Sequence, residues 1–98
     1  MAKYSLAKAA VTDLSDIFAY TFDTHGVERA DSYTDALAEA FGMLCDFPNA
    51  GRKITVVRKD YRALRVGNHV IFYVQRANGD VFIVRILHVS MQPTGRLA

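Results

Sequence analysis

Residues 61–88 read YRALRVGNHVIFYVQRANGDVFIVRILH. Gly67-Asn68 and Asn78-Gly79 divide this stretch into three apolar runs. Such pairs suit tight hairpin turns, because glycine and asparagine reach positive φ at little cost. The stretch therefore predicts an antiparallel meander with strands over 61–66, 69–77 and 80–88. With Asn78 and Gly79 as the central residues of a two-residue type I′ turn, Phe72 faces Arg85 and His69 faces His88. With Gly67 and Asn68 as the other turn, Arg65 faces Val70 and Ala63 faces Phe72.

Strand side chains alternate, so this register assigns each residue to a face. One face carries Ile71, Tyr73, Val84 and Ile86. The other carries Tyr61, Phe72, Val74 and Ile83 together with Arg65, Arg76 and Arg85. Both faces are largely apolar, yet one pair of helices covers only one of them. We assign the helices to the face of Ile71 and Tyr73 and expect the arginine-bearing face to be open. Aromatic, aliphatic and arginine groups together are what interface centres favour, so these residues are the candidate site for an acidic, amphipathic partner. The competing reading lays the arginine stems over apolar surface with their heads in water. A slip of one residue in either turn would exchange the faces.

The meander needs a cover, and the first half of the chain supplies it. KYSL at 3–6 predicts a short strand, with Ser5 or a neighbour as the N-cap of a helix over 7–25. Ala10, Leu14, Ile17 and Phe18 recur at helical spacing there. Gly26 suits the positive φ of a C-cap, behind His25 in the last turn. A second helix over 27–47 follows at once, with Ala30, Tyr33, Leu37, Phe41 and Leu44 as its apolar stripe and Pro48 as its stop. The expected product is one α+β domain spanning residues 1–98. It has a short N-terminal strand, a helical hairpin packed on an antiparallel sheet meander, and a C-terminal tail over 89–98.

The net charge of +2 is too small to imply nucleic-acid binding, but it is unevenly placed. From residue 52 onward nine Lys and Arg, including Arg58 and Lys59, face only Asp60 and Asp80, whereas the helices are acidic. Acidic amphipathic helices do not read DNA directly. The lone Cys45, the absence of a leader pattern in MAKYSLAKAA and the lack of a membrane-length apolar run lead us to expect a cytoplasmic chain without membrane contact. Cys45, His69 and His88 lack the paired spacing of zinc sites, so we expect no metal and no cofactor. A nuclease needs a general base, a general acid and a cation, and His69, His88 and the arginines are the right types. The register nevertheless points both histidines away from Arg65 and Arg85, and strand-end histidines bonded to backbone or water are expected.

Four segments carry a resemblance: LAKAAVTDLSDIFAYT (6–21), GVERADSYTDALAEAFGMLCDFPNAGR (26–52), YRALRVGNHVIFYV (61–74) and VFIVRILHVSM (81–91). They resemble the ParE toxins of bacterial type II toxin–antitoxin systems. The resemblance implies the RelE/ParE fold and neutralisation by a ParD-type antitoxin whose acidic C-terminal segment wraps the toxin. The antitoxin's N-terminal domain would bind operator DNA, making this chain a co-repressor that meets DNA only indirectly. Freed toxin would inhibit DNA gyrase by binding, without catalysis. For toxicity the resemblance points to HVSMQPTGRLA (88–98), with His88, Met91 and Arg96 as candidate target-binding residues. The related RelE group shares the fold but cleaves ribosome-bound mRNA, commonly with a catalytic arginine where this chain has Val70. Val89, Ser90 and Met91 also lack the basic or aromatic character of that group's C-terminal residues. Two alternatives stand beside the gyrase reading: a RelE-like ribosome-dependent mRNA endonuclease, and a non-toxic homologue that only binds antitoxin.

Overall fold

In the computed structural model, which describes residues 2–54, 60–91, 93, 96 and 97, the apolar periodicity of the first half becomes α1 (Lys8–His25) and α2 (Val27–Asp46). Arg58, Lys59 and four of the tail residues therefore lie outside the described residues. Gly26 is the whole connection between the helices. Its φ of 88° and ψ of 174° lie in an extended mirror region that only glycine enters readily, and its N–H donates to Phe22 O at 2.9 Å. Ser5 is not the cap of α1. That position falls to Ala7, which makes no side-chain cap, and Ser5 remains in a strand.

Among the described residues five strands form one mixed sheet in the order β1-β5-β4-β3-β2: β1 (Tyr4–Leu6), β2 (Arg52–Lys53), β3 (Arg62–Val66), β4 (His69–Gln75) and β5 (Val81–His88). The short β2 was not anticipated. β1 runs parallel to β5, and the two helices carry the chain from β1 at one edge of the sheet to β2 at the other. The β3–β4 hairpin has the expected register, with Arg65 opposite Val70 and Ala63 opposite Phe72.

The β4–β5 hairpin corrects the predicted one at two points. Arg76 N–H bonds to Asp80 O and Gly79 N–H to Arg76 O, so Ala77, Asn78 and Gly79 form a three-residue loop. Gly79 alone takes positive φ there (91°); a type I′ turn would demand it of Asn78 as well. The extra residue is absorbed at a bulge: Phe72 faces Arg85, but Tyr73 faces Ile83, leaving Val84 without an opposite residue. His69 still faces His88. Between loop and bulge the faces are exchanged. Ile83, expected on the open face, is 0% exposed within the helix-side core, and Val84 lies on the other side.

Among the described residues two apolar clusters result. The larger lies between sheet and helices and contains Leu37, Phe41, Leu44, Ile71, Tyr73, Val81, Ile83 and Ile86. Tyr73 is buried there with its hydroxyl donating to Pro48 O (2.7 Å) and accepting Gly51 N–H (2.9 Å). Burial pushes its phenol upward. The second cluster is Ala63, Phe72 and Leu87, closed by Leu97, with Ile54, Tyr61, Val70 and Val84 around it. The face expected to be open is thus partly covered from within the chain. Phe72 is only 4% exposed, Leu97 is 1% exposed, and Tyr61 Oη donates to Leu97 O at 3.1 Å.

Candidate functional site

The three strand arginines have three separate fates. Arg85 is held by Asp13 of α1 in a two-pronged ion pair, Nε to Oδ2 at 2.7 Å and Nη2 to Oδ1 at 2.8 Å. Its third nitrogen donates to Arg96 O at 3.2 Å. The hydrogen bonds to Asp13 raise its already high pKa further. Asp13 also accepts Ile86 N–H at 3.0 Å. The pairing of β1 with β5 ends at Ile83, so this carboxylate satisfies the edge of β5 that β1 leaves uncovered. Arg85 therefore has its acidic partner inside the fold.

Arg65 is exposed at the β3–β4 turn, its Nε donating to Gly67 O at 2.9 Å. Arg76 is exposed at the far end of β4, with its guanidinium carbon 4.3 Å above the Phe82 ring. Val70, opposite Arg65, and Arg76 are six residues apart, roughly 20 Å along an extended strand. The arginines consequently form no single constellation. Tyr61 and Val74 remain half-buried on the second face, beside buried Phe72, while Ile83 is withdrawn from it.

Of the residues assigned to toxicity, His88 ends β5 and turns into the tail. Its Nδ1 accepts Ser90 N–H (3.1 Å) and lies 2.8 Å from Ser90 Oγ, while its carbonyl accepts Met91 N–H (2.9 Å). That tight turn projects Met91, 46% exposed, beside exposed Val89. Arg96 is folded back, through its carbonyl, onto Arg85.

What the sequence did not disclose is the company His69 keeps. Tyr33 of α2, read there only as part of the apolar stripe, places its hydroxyl 2.6 Å from His69 Nδ1 and accepts Asn68 N–H at 3.1 Å. The His69 and His88 rings meet edge to face at 5.4 Å. Burial and the neighbouring His88 lower the His69 pKa, with Asp13 opposing. The pairing of the two histidines was legible in the register. The tyrosine beneath them was not, because an amphipathic side chain in an apolar stripe reads as core. Among the described residues no group of three or more His, Cys, Asp or Glu side chains could hold a metal ion, and no helix is long and apolar enough to cross a membrane.

Comparison with known proteins places this geometry. Residues 4–93 match the model of the family described as ParE toxin of type II toxin-antitoxin system, parDE. "Toxin ParE1" of Caulobacter vibrioides is 36% identical over 97 residues, covering 99% of both chains. "Toxin ParE1" of Mycobacterium tuberculosis is 35% identical over 89 residues, 91% of each. A solved structure described as "Chromosomal ParDE TA system from P. aeruginosa" superimposes with a TM-score of 0.75 over 90% of this chain and 96% of that one, at 21% identity, which speaks to the fold alone. With a family match over residues 4–93 and two relatives above one-third identity, the chain belongs to the ParE toxins of type II toxin–antitoxin systems.

Proposed function

We propose that this chain is neutralised by a ParD-type antitoxin and that, when free in the cytoplasm, it inhibits DNA gyrase by binding it. In the antitoxin complex it acts as co-repressor, meeting operator DNA only through the antitoxin. The observation that carries the reading is membership of the ParE family over nearly the whole chain. The matched Pseudomonas structure, described as a ParDE system, supports a partner of the same kind here. Val70 at the position of the RelE arginine supports binding rather than mRNA cleavage.

Exposed Arg65 and Arg76 remain for acidic groups of the antitoxin, with half-buried Tyr61 and Val74 for its apolar side chains, while Phe72, already covered, supports them from beneath. Arg85, already paired, contributes through the fold instead. The surface around His88, Met91 and Arg96 is assigned to the target. Leu97 is a core residue, so deleting the tail would remove packing as well as surface; Met91→Glu probes the surface alone. Loss of growth arrest with antitoxin binding intact supports the assignment, and undiminished arrest refutes it.

The deciding experiment runs a gyrase supercoiling assay on antitoxin-free protein beside a cell-free translation reaction. Loss of supercoiling with translation untouched is the expected result. Cleaved mRNA would move the chain to the nuclease alternative, with the His69–His88 pair as first suspects. Inhibition in neither assay, by a chain that still binds added antitoxin, would identify a non-toxic homologue.

A further inference from the structure

Where β4 begins and β5 ends, the sheet meets the junction of the two helices, and a cavity of about 250 Å³ opens there. Its walls include Tyr20, His25 and Arg29 from the helices, Tyr33 beneath, and His69 and His88 from the sheet. Among the described residues no carboxylate lines it.

The hydrogen-bond lengths favour one arrangement of the histidines, since Tyr33 Oη lies 2.6 Å from His69 Nδ1 and 3.4 Å from its other acceptor, Val66 O. Tyr33 Oη accepts Asn68 N–H, so its own proton is free to go to His69 Nδ1 at 2.6 Å, and the neutral His69 ring then carries its hydrogen on Nε2. His88 Nδ1 accepts Ser90 N–H, which puts its hydrogen on Nε2 too. Neither Nε2–H has an acceptor among the described residues. If His69 gains a proton, Tyr33 can turn its hydroxyl toward Val66 O at 3.4 Å and accept from Nδ1 instead. The support under His69 thus serves either charge state.

We propose that this cavity binds a small phosphate monoester, held by the Arg29 guanidinium and by the Nε2–H groups of His69 and His88. Donors converge from the helix junction, from β4 and from β5, hence from several directions. A tetrahedral phosphate with three terminal oxygens accepts from all of them, whereas a planar carboxylate is served by one arginine fork. The cavity lies below the size of typical drug-sized pockets, which suits a phosphate with a small attached group. The site stands whether or not gyrase is the target.

The test titrates the intact chain with inorganic phosphate at neutral pH and constant ionic strength, following the histidine ring resonances by NMR. Saturable shifts of His69 and His88 are expected, with no such shifts from acetate. Arg29 is exposed, so Arg29→Ala should fold normally while weakening phosphate binding about tenfold, the loss expected for a charge-assisted hydrogen bond. Arg76→Ala, at the far end of β4, should leave it unchanged. Absence of saturation by about 10 mM phosphate, which corresponds to affinity weaker than millimolar, would overturn the proposal. So would equal weakening by both variants, or acetate binding as well as phosphate.

Discussion

Removing the Asp13 carboxylate should cost more than removing the arginine it holds. Asp13→Ala abolishes two charge-assisted bonds to Arg85 and also strands Ile86 N–H on the outer edge of β5. Arg85→Ala abolishes the same pair but leaves the carboxylate bonded to Ile86. The side chains are 24% and 13% exposed, so neither the near-zero value of a surface pair nor the large penalty of a fully buried one applies. Charged hydrogen bonds of this kind are worth about 1.5–3 kcal/mol, and an unsatisfied backbone N–H that water can reach sits near the bottom of a range of about 1–3. We therefore expect about 2 kcal/mol for Arg85→Ala and about 3 kcal/mol for Asp13→Ala. In a chain of this length the latter lowers Tm by roughly 12 °C or more. Urea denaturation of the two single variants and the double variant gives the coupling, expected at about 1.5 kcal/mol. Asp13→Asn, which retains an acceptor for Ile86, should fall between wild type and Asp13→Ala. A coupling below about 0.5 kcal/mol, a value ordinary for exposed pairs, would refute the reasoning. Arg85→Ala proving as costly as Asp13→Ala would refute it equally. Arg85→Glu is consequently a poor probe of any interface, because it sets a carboxylate against Asp13.

Three further outcomes are expected. Gly51→Ala would place a Cβ 2.6 Å from Tyr73 Oη and 2.9 Å from Ala63 O, so it should destabilise by about 1–3 kcal/mol, as overpacking does; unchanged urea stability would show that the loop gives way freely. The His69 pKa is lower in the folded chain than its ordinary 6.5, so the unfolded chain binds the proton more readily. Stability from this source is complete above 6.5 and is lost as pH falls through the folded value, and His69→Gln should flatten that slope in denaturation curves across acidic pH. Parallel slopes for the two proteins would remove His69 from the account. Leu97→Ala should cost about 2 kcal/mol, the low end for a buried leucine since the site is near a chain end; a loss under about 0.5 kcal/mol would mean that Leu97 contributes little to the second cluster.

The helices were legible because their signals are local. Leu37, Phe41 and Leu44 repeat at helical spacing, and Gly26 is a residue where only glycine fits the backbone. The partners of the candidate site were hidden for the opposite reason. Asp13 and Arg85 are 72 residues apart, and an acid off the apolar stripe of α1 looks the same whether it meets water or a guanidinium. Leu97 gave no sign of turning back onto Phe72, since one leucine in a polar tail has no periodicity to extend. Tyr33 was legible as a helix-face residue but not as the support of His69, because its function lies in a hydroxyl that the apolar pattern ignores.

The exchange of faces on β5 has a more specific cause. Arg76-Ala77-Asn78-Gly79-Asp80 satisfies a two-residue and a three-residue loop alike, because both need glycine at position 79. The longer loop moves β5 by one residue, which alone would have reversed every side chain up to His88. The bulge at Val84 undoes the shift, so Phe72 meets Arg85 and His69 meets His88 as a two-residue turn would have them. Apolar patterning reveals neither irregularity, because Val81, Phe82, Ile83 and Val84 are apolar in succession and suit either face. The cost of placing them wrongly is confined to that segment, yet it moves Ile83 from a supposed interface into the core. The same bulge immediately precedes Arg85 on the strand edge that Asp13 caps. The absorbed residue and the internal ion pair thus belong to one local solution, in which β5 bends past the end of β1 and α1 supplies the acceptor that the sheet lacks.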